Sequence, residues 1–156
     1  MATVFNIFGG KRTVERPLFG RLIHREGVWV TKTPPPPLDS RGLLGFRAGA
    51  DGPSTEQFSS FRTLAASYTG LLSSIIPALF REYELLQKNG WELLPAASAE
   101  EMAAVTRLGA AVIEPDGSAC LSYDLYHEPA AALEMLDHQL NVIVRDGRVV
   151  DVLFEG

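Results

Sequence analysis

The 156-residue chain holds a single cysteine, Cys120. One thiol excludes an internal disulfide framework and any zinc site built on several cysteines. Three histidines leave little for a histidine-rich metal centre. Long hydrophobic runs are scarce as well. Residues 63–80 carry no charge, but Thr63, Ser67, Thr69, Gly70, Ser73, Ser74 and Pro77 interrupt them. That stretch reads as a buried amphipathic helix and not as a membrane span. The short apolar run at residues 4–8 has no basic residue before it, unlike a secretory signal. The expected compartment is therefore the cytoplasm, with no membrane partner.

Catalytic signatures are missing too. Gly9-Gly10-Lys11 lacks the upstream glycine of a phosphate loop and the Ser or Thr that follows its lysine. No G-x-S-x-G elbow and no H-E-x-x-H pair occurs. No cofactor is implied.

What is present is ordinary globular composition, 46% hydrophobic and 21% charged. The length suits one domain with a real core, here residues 17–156, after an N-terminal arm at residues 1–16. The net charge of −5 is unevenly spread. Residues 1–90 carry 11 Lys and Arg against 7 Asp and Glu, a net +4. Residues 91–156 carry 3 against 12, a net −9. An anionic half repels nucleic acid, whose phosphates need cations opposite them. It favours encounter with a basic protein, provided that the two halves of the sequence are also halves in space.

Periodicity supplies the elements. Residues 18–32 alternate around Glu26-Gly27 and suggest a first hairpin. Four prolines at 34–37 make a stiff, extended connector. Residues 43–48 suggest a third strand. Ser54 and Gln57 form a capping box, and Leu64, Leu71, Ile75, Leu79 and Leu86 recur at helical spacing behind it. Pro77 should kink or split that helix. Ser98 and Glu101 suggest a second, short helix to about Arg107. Strands follow at 110–114 and 118–126. Asp146-Gly147 between alternating apolar runs predicts a two-residue hairpin. The expected fold is α+β: an antiparallel sheet of five to seven strands, covered on one face by the long kinked helix and the short one.

Each reactive residue also has a plain structural role open to it. Cys120, Asp124 and His127, or His138, would form a thiol–base cluster, with Cys120 and Asp124 on one strand face. Yet no basic neighbour or helix terminus lowers the thiol pKa, so a structural cysteine is the expectation. His127, His138, Asp124, Glu128 and Asp137 could ligate a metal, but no helical i,i+4 pair prearranges them. No metal site is assigned. Trp29 and Trp91 are expected to be largely buried.

Together, Leu18-Phe19-Gly20, the helix opening Gly52-Pro53-Ser54-Thr55-Glu56-Gln57, the helix end Ala78-Leu79-Phe80-Arg81-Glu82-Tyr83, the strand Asp137-His138-Gln139-Leu140-Asn141-Val142 and the Asp146-Gly147 hairpin make a pattern. It resembles a family of uncharacterised bacterial α+β domains similar to immunity proteins of polymorphic toxin systems. The resemblance spans residues 17–156, rests on structural motifs and carries no catalytic residue across. The prolines at 34–37 have no counterpart among its motifs. It implies a cytoplasmic protein that binds and neutralises a toxin.

The sequence thus points to a non-catalytic module for a basic protein partner. Asp124, Glu128, Glu134, Asp137 and Asp151 would steer the encounter, with Tyr126 as aromatic anchor. The alternatives are an enzyme of unrecognised type using Cys120, Asp124 and His127, and a subunit that oligomerises through its last strand. The oligomeric state stays open.

Overall fold

A computed structural model describes residues 4–7, 11–31, 33–91, 96–126 and 135–155. Nine strands form one sheet: β1 Val4–Ile7, β2 Lys11–Arg16, β3 Gly20–Arg25, β4 Val28–Thr31, β5 Leu43–Arg47, β6 Thr106–Ile113, β7 Ala119–Tyr126, β8 Met135–Arg145 and β9 Arg148–Glu155. Helix α1, Thr55–Lys88, separates β5 from β6. A 3₁₀ turn, Ala99–Glu101, runs into the one-turn helix α2, Met102–Val105. Spatial order follows chain order from β1 to β9.

The α+β expectation stands, with two corrections. The sheet has nine strands, not five to seven, and it is mixed, because β5 and β6 run parallel. Parallel neighbours need a long crossover. Helix α1 is that crossover, about 51 Å long at 1.5 Å per residue. The other neighbours are antiparallel, and the tightest hairpins place Glu26-Gly27 and Asp146-Gly147 at positive φ, as two-residue turns demand. The expected arm contributes instead to the sheet: β1 pairs with β2 and β2 with β3, and Val14 is buried. The proline connector is not extended throughout, since the Leu38 N–H returns to the Pro35 carbonyl.

Helix α1 is continuous through Pro77. Its length and composition alone would suffice to cross a membrane. Its inner stripe, including Phe58, Phe61, Leu64, Ile75, Leu79 and Leu86, belongs to the hydrophobic core. The capping box forms as read: Ser54 Oγ accepts from the Gln57 N–H, and Gln57 Oε1 from the Ser54 N–H. Gln57 Nε2 then donates to the carbonyls of Arg47 and Ile113, tying the helix start to the ends of β5 and β6. The second box does not form; Ser98 makes no side-chain cap, and Glu101 accepts from the Ala97 N–H.

Register sorts each strand. Leu22, Trp29, Phe46, Ile113, Leu121 and Val142 are buried and belong to the core that α1 completes. An aromatic knot of Phe19, Phe46 and Phe58 closes the end near the helix start, with ring centroids 4.8–5.6 Å apart. The Trp29 indole N–H reaches the Gly49 carbonyl at 2.9 Å. The Tyr68 and Tyr123 hydroxyls meet at 2.6 Å, and burial holds both phenols above their usual pKa. The alternate residues form a row across the sheet: Thr13, Ile23, Val30, Gly45, Val112, Cys120, Ile143 and Asp151.

Candidate functional site

One flank of α1 carries small and polar side chains at helical spacing, and recesses lie along it. Near the helix start, Ser59, Ser60, Thr63 and Ser67 face the turn at Asp116–Ala119 and the hairpin at Val144–Gly147 across a recess of about 490 Å³. Leu64 and Leu71 line its apolar part. The turn comes close because residue 117 is glycine: its φ is +85°, and a Cβ there would sit 2.8 Å from Ser60 Oγ. Asp116 is committed locally, accepting from the Ser118 hydroxyl and N–H, which lowers its pKa.

Further along, α1 runs beside the edge strand β9. Ser74, Pro77, Ala78 and Arg81 border a second recess of about 540 Å³ against Ala99 and Val149. Ala78, Arg81 and Glu82 face Val149, Val150, Asp151 and Val152 across a third of about 250 Å³. The last two recesses share Ala78, Arg81 and Val149, so they form one trough. Its polar border includes Glu82, Glu84 and Asp151.

Exposed apolar side chains gather at this end. Six large hydrophobic residues are exposed among those described, and Leu85, Trp91, Val150 and Leu153 lie on the last turns of α1, just after it, or on β9. Leu85 is four residues beyond Arg81, one turn further on the same flank. Trp91 is 41% exposed and stands edge-on to Phe154, with centroids 4.9 Å apart. Strand β9 offers a poor edge for pairing with another copy. A register shift leaves Val150 unpaired, and Arg148, Asp151 and Glu155 punctuate the strand.

Of the six residues expected to meet a partner, Asp124 and Asp151 have described side chains, and they lie apart in different settings. Asp151 lies exposed at the trough, its carboxylate also accepting from the Val152 N–H. Asp124 is buried, and its charge is engaged: Oδ2 accepts from Arg107 Nη2 at 3.1 Å and Oδ1 from Gln139 Nε2 at 2.8 Å. Arg107 also holds Asp39 at 3.0 Å, linking the 33–42 connector to the sheet. Tyr126 and Asp137 occupy positions in β7 and β8, but their side chains fall outside the described residues, as do Glu128 and Glu134 entirely. Trp29 is buried as expected and Trp91 is not. Sequence reasoning did not single out Leu85, Val150 or the Ser/Thr flank of α1. The recurrence Ser60, Thr63, Ser67, Ser74 was the available signal.

Cys120 and Asp124 do share a strand, yet Asp124 is turned to Arg107 and Gln139. Burial raises the Cys120 thiol pKa, and the Glu155 and Glu114 carboxylates add to the shift. His127 and the His138 side chain lie outside the described residues. Among the described residues no cluster of three or more His, Cys, Asp or Glu could hold a metal. Comparison with protein-family models, with curated proteins and with solved structures finds no match.

Proposed function

We propose that this protein is a non-catalytic binding module that receives a basic partner protein along the α1–β9 trough, as a cytoplasmic immunity protein would receive its toxin. The observation that carries this reading is the exposure of Leu85, Trp91 and Val150 along the end of α1 and β9, with Glu82, Glu84 and Asp151 outnumbering Arg81 among the charges that line the trough. An apolar centre with an aromatic anchor supplies affinity once water is excluded, and a charged border supplies steering. Strand order adds support. Because the sheet follows the chain, strands β6 to β9, all from the acidic part of the sequence, lie side by side. Two of the three arginines in that half are already paired, Arg107 with Asp39 and Asp124, and Arg145 with Asp116.

The test uses the purified product of the neighbouring gene. Calorimetry should show binding, and co-expression should relieve that product's toxicity. Trp91→Ala and Asp151→Arg should each weaken both effects while leaving the circular dichroism spectrum unchanged. Full protection by both variants would remove this surface from consideration.

A further inference from the structure

We propose a second binding site, for a phosphate-sized oxyanion, in the cleft between the β2–β3 turn and the start of α1. Arg16 ends β2 and Arg62 lies two turns into α1. The Arg16 guanidinium sits 5.0 Å from the Phe58 ring centroid, and that of Arg62 sits 5.8 Å from Phe19. The two rings are themselves 5.0 Å apart, so the cations rest on adjoining faces of one aromatic pair. Both arginines line a cleft of about 100 Å³ with Pro17, Phe19, Thr55 and Phe58, none of which is acidic.

What sets these two arginines apart is that they share one cleft; like Arg12, Arg25, Arg81 and Arg148, they have no carboxylate partner among the described residues. Arg21, Arg41, Arg47, Arg107 and Arg145 each have a carboxylate within 4 Å. Arg16 Nε is shielded from solvent and has no acceptor. A buried unmet N–H is costly, and a small rotation of the guanidinium into the cleft toward an acceptor there relieves it. Two like charges on one cleft repel until an anion sits between them.

The chemistry selects the ligand. A guanidinium over a ring face keeps its in-plane N–H groups for an acceptor, and it stays charged at any physiological pH. One planar carboxylate is satisfied by one such fork. Two guanidinium groups from different elements lining one cleft, with Thr55 also in its lining, suit a tetrahedral oxyanion that has acceptors in several directions. The structure therefore assigns the cleft to a phosphate group. The α1–β9 trough shares none of the cleft's six lining residues. The proposal is independent of the protein-binding reading.

The experiment titrates the 156-residue protein with inorganic phosphate to about 20 mM, against sodium chloride at equal ionic strength and against acetate. Thermal unfolding and amide chemical shifts are followed together. Phosphate should raise the melting temperature saturably and shift amides around residues 16–19 and 55–62. Arg62→Gln, on the exposed flank of α1, should weaken phosphate binding about tenfold or more. Arg16→Gln should do the same, and Arg16→Lys should restore part of it. Indifference to phosphate beyond the chloride control would overturn the proposal. So would an equal response to acetate, or unchanged phosphate affinity in Arg62→Gln, the variant that decides should Arg16→Gln fail to fold.

Discussion

At the scale of single residues, Asp124 shows how a side chain that looks like a surface charge becomes internal. It faces Gly109, where β6 shifts register, and a Cβ at position 109 would overlap the Asp124 carboxylate. The glycine therefore makes room for the bonds to Arg107 and Gln139. Gly109→Ala should cost about 1–3 kcal/mol, the usual penalty of overpacking, read as a lower urea midpoint. Asp39, at the other end of the network, supplies a pH dependence. Its bond from the Arg41 N–H, with Arg107 adding, holds its folded pKa below the ordinary value of 3.8. A depressed carboxylate stabilises the fold above its unfolded pKa, and that contribution fades as pH falls through the folded value. Urea midpoints measured below about pH 4 should thus decline less steeply in Asp39→Asn than in the parent protein. Equal slopes would mean that the carboxylate adds nothing to the fold.

At the scale of elements, Gln57 joins what the capping pattern promised to what the sequence hid. The box with Ser54 was legible because Ser-x-x-Gln ahead of an apolar stripe has a local cause. The bonds from Nε2 to Arg47 and Ile113 were not, since they depend on β5 and β6 lying side by side. Ser54→Ala should cost about 1 kcal/mol, as the loss of an N-cap does. Gln57→Ala leaves two carbonyls without their donor and should cost more, about 2–4 kcal/mol. Equal losses in chemical denaturation would reduce Gln57 to a simple cap. The same division runs through the fold. The Asp146-Gly147 hairpin and the α1 stripe were readable from turn chemistry and period. Strand β2 was not, because Lys11–Arg16 reads as polar and becomes a strand only through pairing with β3. The parallel β5–β6 pair was invisible for the same reason: nothing in either strand records the direction of a neighbour 67 residues away. The burial expected of Trp91 did not hold because a tryptophan's exposure is decided by the surrounding packing, here by Phe154 against one side of the ring.

At the scale of the molecule, collinear strand order keeps the strands of the acidic part of the sequence together, and the proposed function gives their charge a use. Had the second half been threaded between strands of the first, its carboxylates would have been interleaved with arginines. Instead β6 to β9 stand together, and the seam with the basic half is marked by the Arg47–Glu114 pair at 2.9 Å. Such charge acts mainly on encounter, while the apolar cluster acts on residence. The two contributions should separate in kinetics with a basic partner. Asp151→Lys and Glu155→Lys should lower the association rate and flatten its dependence on ionic strength, leaving dissociation nearly unchanged. Trp91→Ala should leave association alone and speed dissociation, by about thirtyfold if the indole contributes some 2 kcal/mol, the threshold of an interface hot spot. Surface plasmon resonance over a salt series resolves both. If Trp91→Ala altered only association, or the lysine variants only dissociation, the division between an anionic border and an apolar anchor would be wrong, and the trough would have to bind by some other balance of forces.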